Sequence, residues 1–278
     1  MTIPSPDPVT SPHISLPPLA AAVIYGAIGR RLIKASLSLA EYRSYRDEAS
    51  RDWLSRIGFP AGGDPVYPDL VFGLPEALLP VSRPASNTAR RVVGLGLMNY
   101  QGKYSAANPR HATYTAYLEA LADFVRWLLD QNYAVRLFLG EAEPSAVDDF
   151  REVLRSRCGI GDDERVTEQR NSAVHDVLTE ISLADVVVAT RFHNVLMSLL
   201  LCKPVVAISF HHKCSELMAQ MQMSAYCQDI YQIDTGALIE QFQKIEQNRD
   251  EVKRVISARV ELARVALEEQ DDRVFAER

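Results

Sequence analysis

The sequence predicts an α/β protein: one complete doubly wound, Rossmann-like parallel sheet in the C-terminal part, preceded by a partial α/β domain. Three observations carry this. After residue 90, six short apolar runs alternate with helical stretches, the rhythm of a parallel sheet covered on both faces. Runs such as "DVVVAT" and "PVVAISF" are apolar at successive positions, as burial on two sides requires. Before residue 80 similar elements occur, but with too few strands to make a second sheet alone.

Each element follows from local chemistry. "MTIPSPDPVTSPHISLPP" carries six prolines in 18 residues, and residues 1–19 are expected to be a disordered leader. Residues 20–40 are helical in pattern apart from two glycines. A short strand ends near Tyr45, and Asp47 caps a helix with Trp53, Leu54 and Ile57 on its apolar face and Gly58 as its stop. Residues 59–75 read as loop with a short extended piece, and 80–90, with two prolines, as a linker. "RVVGLGLMN" is then a strand. Residues 112–130 are an amphipathic helix with Tyr114, Tyr117, Leu118, Leu121, Val125, Leu128 and Leu129 on one face. Strands follow at "YAVRLFLGEAE", "RVTEQ", "DVVVAT", "PVVAISF" and "AYCQDI", with helices at 145–157, 173–182, 193–202 and 213–222 between them, and helices again to about 274. The expected divisions are a leader over 1–19, a partial N-terminal domain over 20–84, the Rossmann-like domain over 85–250, and a closing helix over 251–278 that packs back towards the N-terminal part.

Composition excludes some function classes. A net charge of −6 argues against a nucleic-acid partner. No apolar run reaches the roughly 18–20 residues of a membrane span. The N-terminus lacks the basic start and apolar centre of a secretion signal, so a cytoplasmic protein is expected. The four cysteines, Cys158, Cys202, Cys214 and Cys227, form no CxxC pair and read as reduced thiols, Cys202 as core.

In open α/β sheets ligands bind beyond the carboxyl ends of the strands. That rule selects Asn99, Tyr100, Gln101 and Lys103 after the first strand, Glu141 and Glu143 after the second, Thr190, Arg191 and His193 after the fourth, and Ser209, His211, His212 and Lys213 after the fifth. Arg191 and His193 stand where a strand hands over to a helix N-terminus, which favours anions. An arginine fork matches carboxylate or phosphate, and histidine as a residue type exchanges protons near neutral pH. The plainer alternative is an arginine tying loop carbonyls and a histidine capping the helix. Arg46, in Arg46-Asp47-Glu48, reads equally as local capping or as a group facing the main domain across a cleft. "GLG" at 94–96 lies inside a strand and is no dinucleotide fingerprint. His211-His212 lacks the further ligands of a metal site, and no metal or cofactor is expected. His175 and His111 read as surface, packing or capping residues, and "DDERVTEQR" as a solvated edge.

With these residues on the page, the chain resembles the polysaccharide pyruvyl transferase family. The resemblance rests on "YRSYRDEASRDWLSRIG" and "ADVVVATRFHNVLMSLLLCKPVVAISFHHK" and covers roughly residues 41–232. It implies a GT-B-like arrangement with the active site between two domains. It also implies transfer of a pyruvyl group from phosphoenolpyruvate to sugar hydroxyls, giving a ketal in exopolysaccharide or cell-surface polysaccharide biosynthesis. Arg191 and His193 match the family's Arg-x-His, associated with donor binding and catalysis. Arg46 matches its Arg-Asp motif, and Lys213 its closing lysine. Asn99, Glu141, Thr190, Ser209 and His212 complete the expected substrate contacts. Phe192 stands where the family often has Leu. On this resemblance the chain is expected to enter near the end of the family's N-terminal domain, with most of that domain lacking a counterpart in it. Phosphoenolpyruvate as donor and a saccharide acceptor, free or lipid-linked, are the implied partners. A homo-oligomer and a peripheral place at the inner membrane face are compatible with this reading.

Two other functions compete. A GT-B glycosyltransferase using a nucleotide sugar would share the sheet, with Glu216 or Asp229 holding a ribose. A truncated, non-catalytic member would serve as a binding module.

Overall fold

Regular structure follows where apolar runs and helix ends dictate it. The computed structural model describes residues 15–19, 26–80, 90–100, 109–139, 145–169 and 173–275. The chain divides into two compact units: residues up to Gly73 together with those from Ala263, and Leu74–Leu262.

In the first unit, β1 (Ser15–Leu19) pairs in parallel with β2 (Tyr42–Tyr45), which follows α1 (Ala27–Ser38). The leader was expected to lack regular structure, yet its last residues form this strand. A strand with a single neighbour among the described residues tolerates Pro17 and Pro18, whose missing N–H groups an interior strand could not spare. Residues 1–14 lie outside the described residues. Asp47 caps α2 (Glu48–Arg56) as expected, its carboxylate accepting from the Ser50 N–H at 2.6 Å. Gly58, at φ 80°, closes that helix. Leu37, Tyr45, Leu54 and Phe59 form the unit's small core.

The second unit is the predicted sheet. β3 (Val92–Leu97), β4 (Ala134–Leu139), β5 (Val166–Glu168), β6 (Val186–Ala189), β7 (Val205–Ser209) and β8 (Cys227–Asp229) are all parallel, in the order β5-β4-β3-β6-β7-β8. Between them run α3 (Pro109–Asp130), α4 (Ser145–Cys158), α5 (Val174–Leu183), α6 (Phe192–Leu200) and α7 (His212–Gln220), with α8 (Thr235–Gln247) and α9 (Arg249–Phe275) after β8. Every residue of β6 and β7 is buried, which explains their unbroken apolar sequence. Burying each such valine contributes about 1.5–3 kcal/mol. The apolar face of α3 predicted from spacing is buried in the main core. β5 forms an edge, and the Asp163–Arg165 pair before it marks the solvated end expected of "DDERVTEQR".

The "GLG" segment has a packing role. A Cβ on Gly94 would come within 3.0 Å of the Ala184 Cβ, and one on Gly96 within 3.0 Å of both the Phe138 ring and the Asn194 amide nitrogen. The two glycines thus make room on one face of β3 for a neighbouring strand's ring and for α6.

Several helices end on a left-handed residue that is not glycine: Asn132 after α3, Cys202 after α6 and Gln222 after α7, at φ 64°, 51° and 59°. After α6, the Cys202 and Lys203 N–H groups return to the Leu199 and Ser198 carbonyls at 2.9 and 2.8 Å. Cys202 is therefore a helix terminator, half-buried, rather than plain core. Lys203 is buried, and its ammonium donates to the Ser182 and Ala184 carbonyls at 2.7 and 2.8 Å. Burial lowers its pKa to about 8.

In α9, Val252, Ile256 and Val260 are buried, and further on Gln270 donates to the Ser44 hydroxyl of the first unit at 3.1 Å. No helix among the described residues is long and apolar enough to cross a membrane.

Candidate functional site

The sheet's order reverses between β3 and β6, whose following helices lie in opposite directions of winding. Ligands collect outside the carboxyl ends of the strands at such a switch point. β3 delivers Met98, Asn99 and Tyr100 there. β6 delivers Thr190, Arg191 and then α6, whose first two residues are Phe192 and His193. Five of the residues selected from sequence position, Asn99, Tyr100, Thr190, Arg191 and His193, therefore stand at the point the topology marks.

The local build is specific. Arg191 is the N-cap residue of α6, with extended backbone and no capping bond from its side chain. Its alternative reading as a helix cap through histidine is not what forms: His193 lies inside the first turn, exposed, with its ring edge-on to Phe192 at 5.5 Å. Thr190 beneath them is fully buried and donates to the Tyr117 hydroxyl of α3 at 2.9 Å. Burial pushes the Tyr117 phenol up to about 12, against hydrogen bonds from Thr190 and the Met98 main chain and the nearby Arg191 charge. Thr190 is thus a sealed anchor for the Arg191 turn rather than a surface group. Asn99 donates to the Ser145 hydroxyl at 2.8 Å, tying the end of β3 to the start of α4.

Asn194, the third residue of α6, is a feature the sequence did not single out. It is fully buried, and both its amide nitrogen and oxygen lack hydrogen-bond partners among the described residues. An asparagine in the first turn of a helix ordinarily reads as a solvated or capping group, so no sequence signal marks it.

The remaining predicted residues fall into a second cluster at the ends of β7 and β8. Ser209 donates to the His211 carbonyl at 2.9 Å, and His211 caps α7, its Nδ1 accepting from the Lys213 N–H at 3.3 Å. The His211 and His212 rings lie 4.0 Å apart. These groups, with Phe210, Asp229 and Tyr231, border an open cavity of about 480 Å³. Tyr100 reaches across from β3, edge-on to Phe210 at 5.9 Å and to Tyr231 at 6.2 Å, and its hydroxyl bonds that of Tyr231. Phe210 and Tyr231 were not anticipated, because the aromatic cluster depends on β8 pairing beside β7 and on the short 3-10 turn that follows it. Cys214, on the buried face of α7, is a packing residue, and burial pushes its thiol up to about 12.

Arg46 belongs to the first unit. Its guanidinium pairs with Asp69 at 3.1 Å and approaches Asp47 at 3.8 Å. Glu141, Glu143, Gln101 and Lys103 lie outside the described residues, as do the side chain of His111 and the linker over 81–89. His175 is exposed at the start of α5. Among the described residues no group of three His, Cys, Asp or Glu side chains could hold a metal ion.

A six-stranded parallel sheet of this order, with its polar side chains gathered beyond the carboxyl ends, defines an α/β protein of the GT-B-like class. Solved structures of that class resemble it at low identity. An Anabaena protein, HepE, in complex with UDP and glucose, is 16% identical with a TM-score of 0.56, covering 90% of this chain and 67% of its own. The S. aureus protein MnaA, in a co-structure with UDP, is 12% identical with a TM-score of 0.55, covering 83% and 56%. A Thermobaculum terrenum O-GlcNAc transferase mutant is 15% identical with a TM-score of 0.50, covering 73% and 38%. This chain thus spans less than two thirds of the length of the latter two. No curated protein matches it at the level of sequence. The chain belongs to the polysaccharide pyruvyl transferase family, whose model matches residues 19–212.

Proposed function

We propose that the protein transfers a pyruvyl group from phosphoenolpyruvate to hydroxyls of a saccharide, with donor binding and proton transfer at Arg191 and His193. The observation that carries this is the position of that pair at the N-terminus of α6, Arg191 as its N-cap and His193 in its first turn, at the switch point in a chain of this family. The helix N-terminus and a guanidinium together suit a small, multiply charged anion. Exposure leaves His193 open to a bound substrate.

The chemistry needs few groups. Protonation of the donor's methylene carbon makes the neighbouring carbon electrophilic. A sugar hydroxyl oxygen bonds that carbon and gives up its proton. The bond to the phosphate oxygen breaks, and a second hydroxyl closes the ketal. Of the two hydroxyl protons lost, one is balanced in the new methyl group and the other leaves with inorganic phosphate. Arg191 holds the carboxylate or phosphate, and His193 performs one of the proton transfers, a role that ordinarily contributes about 10²- to 10⁴-fold.

Thermal unfolding with and without phosphoenolpyruvate tests the reading, with UDP-sugars as controls. A ligand at about 100 times its dissociation constant stabilises by about 2.7 kcal/mol. The expected result is a shift with phosphoenolpyruvate that disappears in Arg191→Ala. A shift with UDP-sugars alone would replace the reading with nucleotide-sugar chemistry.

A further inference from the structure

The cavity at the ends of β7 and β8 is chemically unlike the switch point beside it. Among the described residues no lysine or arginine lines it, and one carboxylate, Asp229, does. From those residues a phosphorylated donor would meet repulsion and no compensating cation. What the walls offer instead is a mixture of groups that donate and accept, among them Ser215, Gln228 and the two imidazoles, set beside the rings of Phe210 and Tyr231. Tyr231 is 60% exposed, a large ring left open at the cavity's edge. Vicinal hydroxyls need donors and acceptors close together, and the C–H face of a pyranose packs on an aromatic ring. The volume of about 480 Å³ lies in the range of small-ligand sites.

Position agrees with chemistry. Neighbouring strands lie about 4.8 Å apart, so the cavity begins one strand and ends two strands from Arg191 at the end of β6. A ring held there lies a short reach from a donor at α6.

We infer that this cavity is a subsite for a neutral hexopyranose, the acceptor end of the reaction; the assignment of the sugar as acceptor rests on the function proposed above. Tyr231 supplies the stacking face.

Saturation-transfer NMR with the methyl glycosides of glucose, galactose and mannose tests it on the full chain. At least one glycoside should show transfer. In Tyr231→Ala its binding should weaken roughly 2- to 10-fold, and in Tyr231→Phe, which keeps the ring, it should be retained. The melting shift with phosphoenolpyruvate should survive Tyr231→Ala. Absence of transfer from all three glycosides, binding indifferent to Tyr231→Ala, or displacement of the glycoside by UDP alone would overturn the assignment. Glycoside binding that depends on the Tyr231 ring, in a protein that gives no shift with phosphoenolpyruvate, would keep the sugar cavity and sink the pyruvyl reading.

Discussion

The bond between Thr190 and Tyr117 holds the turn that carries Arg191, and a double-mutant cycle measures it. Both side chains are fully buried, and the hydroxyls meet at 2.9 Å. Thr190→Val replaces the hydroxyl by a methyl of the same size, so it opens no cavity. The Tyr117 oxygen keeps its Met98 main-chain partner, and the expected cost is about 1–2 kcal/mol. Tyr117→Phe deprives both the Thr190 hydroxyl and the Met98 main chain of their partner, and should cost more, about 2–3 kcal/mol. In the double variant the Thr190–Tyr117 bond has no survivor to leave stranded. Its cost should fall short of the sum of the singles by about 1 kcal/mol. Urea unfolding followed by circular dichroism gives all four free energies, with an unchanged slope as the check that only stability moved. Additivity to within about 0.3 kcal/mol, or a Thr190→Val variant less stable than Tyr117→Phe, would refute the reasoning.

Gly96→Ala should destabilise by about 1–3 kcal/mol, read as a lower urea midpoint, because its Cβ meets the Phe138 ring and the Asn194 amide at 3.0 Å. Lys203→Met should cost about 1–3 kcal/mol near neutral pH, since two buried carbonyls lose their donor. The same pair of proteins carries a pH signature. The Lys203 pKa is about 8 in the folded chain and about 10.4 in the unfolded one, so below 8 both states hold the proton. Between those values only the unfolded chain holds it, and the stability of the parent relative to Lys203→Met should rise with pH; a flat difference in unfolding free energy from pH 7 to 10 would contradict this. Gln222→Gly should raise the melting temperature, because Gln222 is exposed at φ 59° and a left-handed L-residue costs about 1–2 kcal/mol that glycine avoids.

Much of the fold was legible because a strand buried on two faces must be apolar throughout, as Val186–Ala189 and Val205–Ser209 are. The helix stop at Gly58 was legible because glycine is at ease at positive φ. The stops at Asn132, Cys202 and Gln222 were not, because those residues mark nothing by themselves. The strand at Ser15–Leu19 was hidden by Pro17 and Pro18, whose sequence reads as irregular wherever no partner strand is known. Arg191 and His193 could be named from position alone, since any parallel strand presents its carboxyl end to ligands. That β6 lies beside β3 is a non-local fact, and only the pairing shows that the pair stands at the reversal of strand order. The same holds for the cavity: Tyr231 and Phe210 are ordinary aromatic residues until β8 pairs with β7.

The strand order has a kinetic consequence. Arg191 follows β6, whereas the cavity lies at the ends of β7 and β8, so on the assignments proposed above the two substrates would have separate seats along one sheet edge. Neither must leave before the other enters. Initial rates measured against both substrates should then give intersecting, not parallel, reciprocal plots. An unreactive glycoside should compete with the sugar alone and leave the apparent affinity for the enol phosphate untouched.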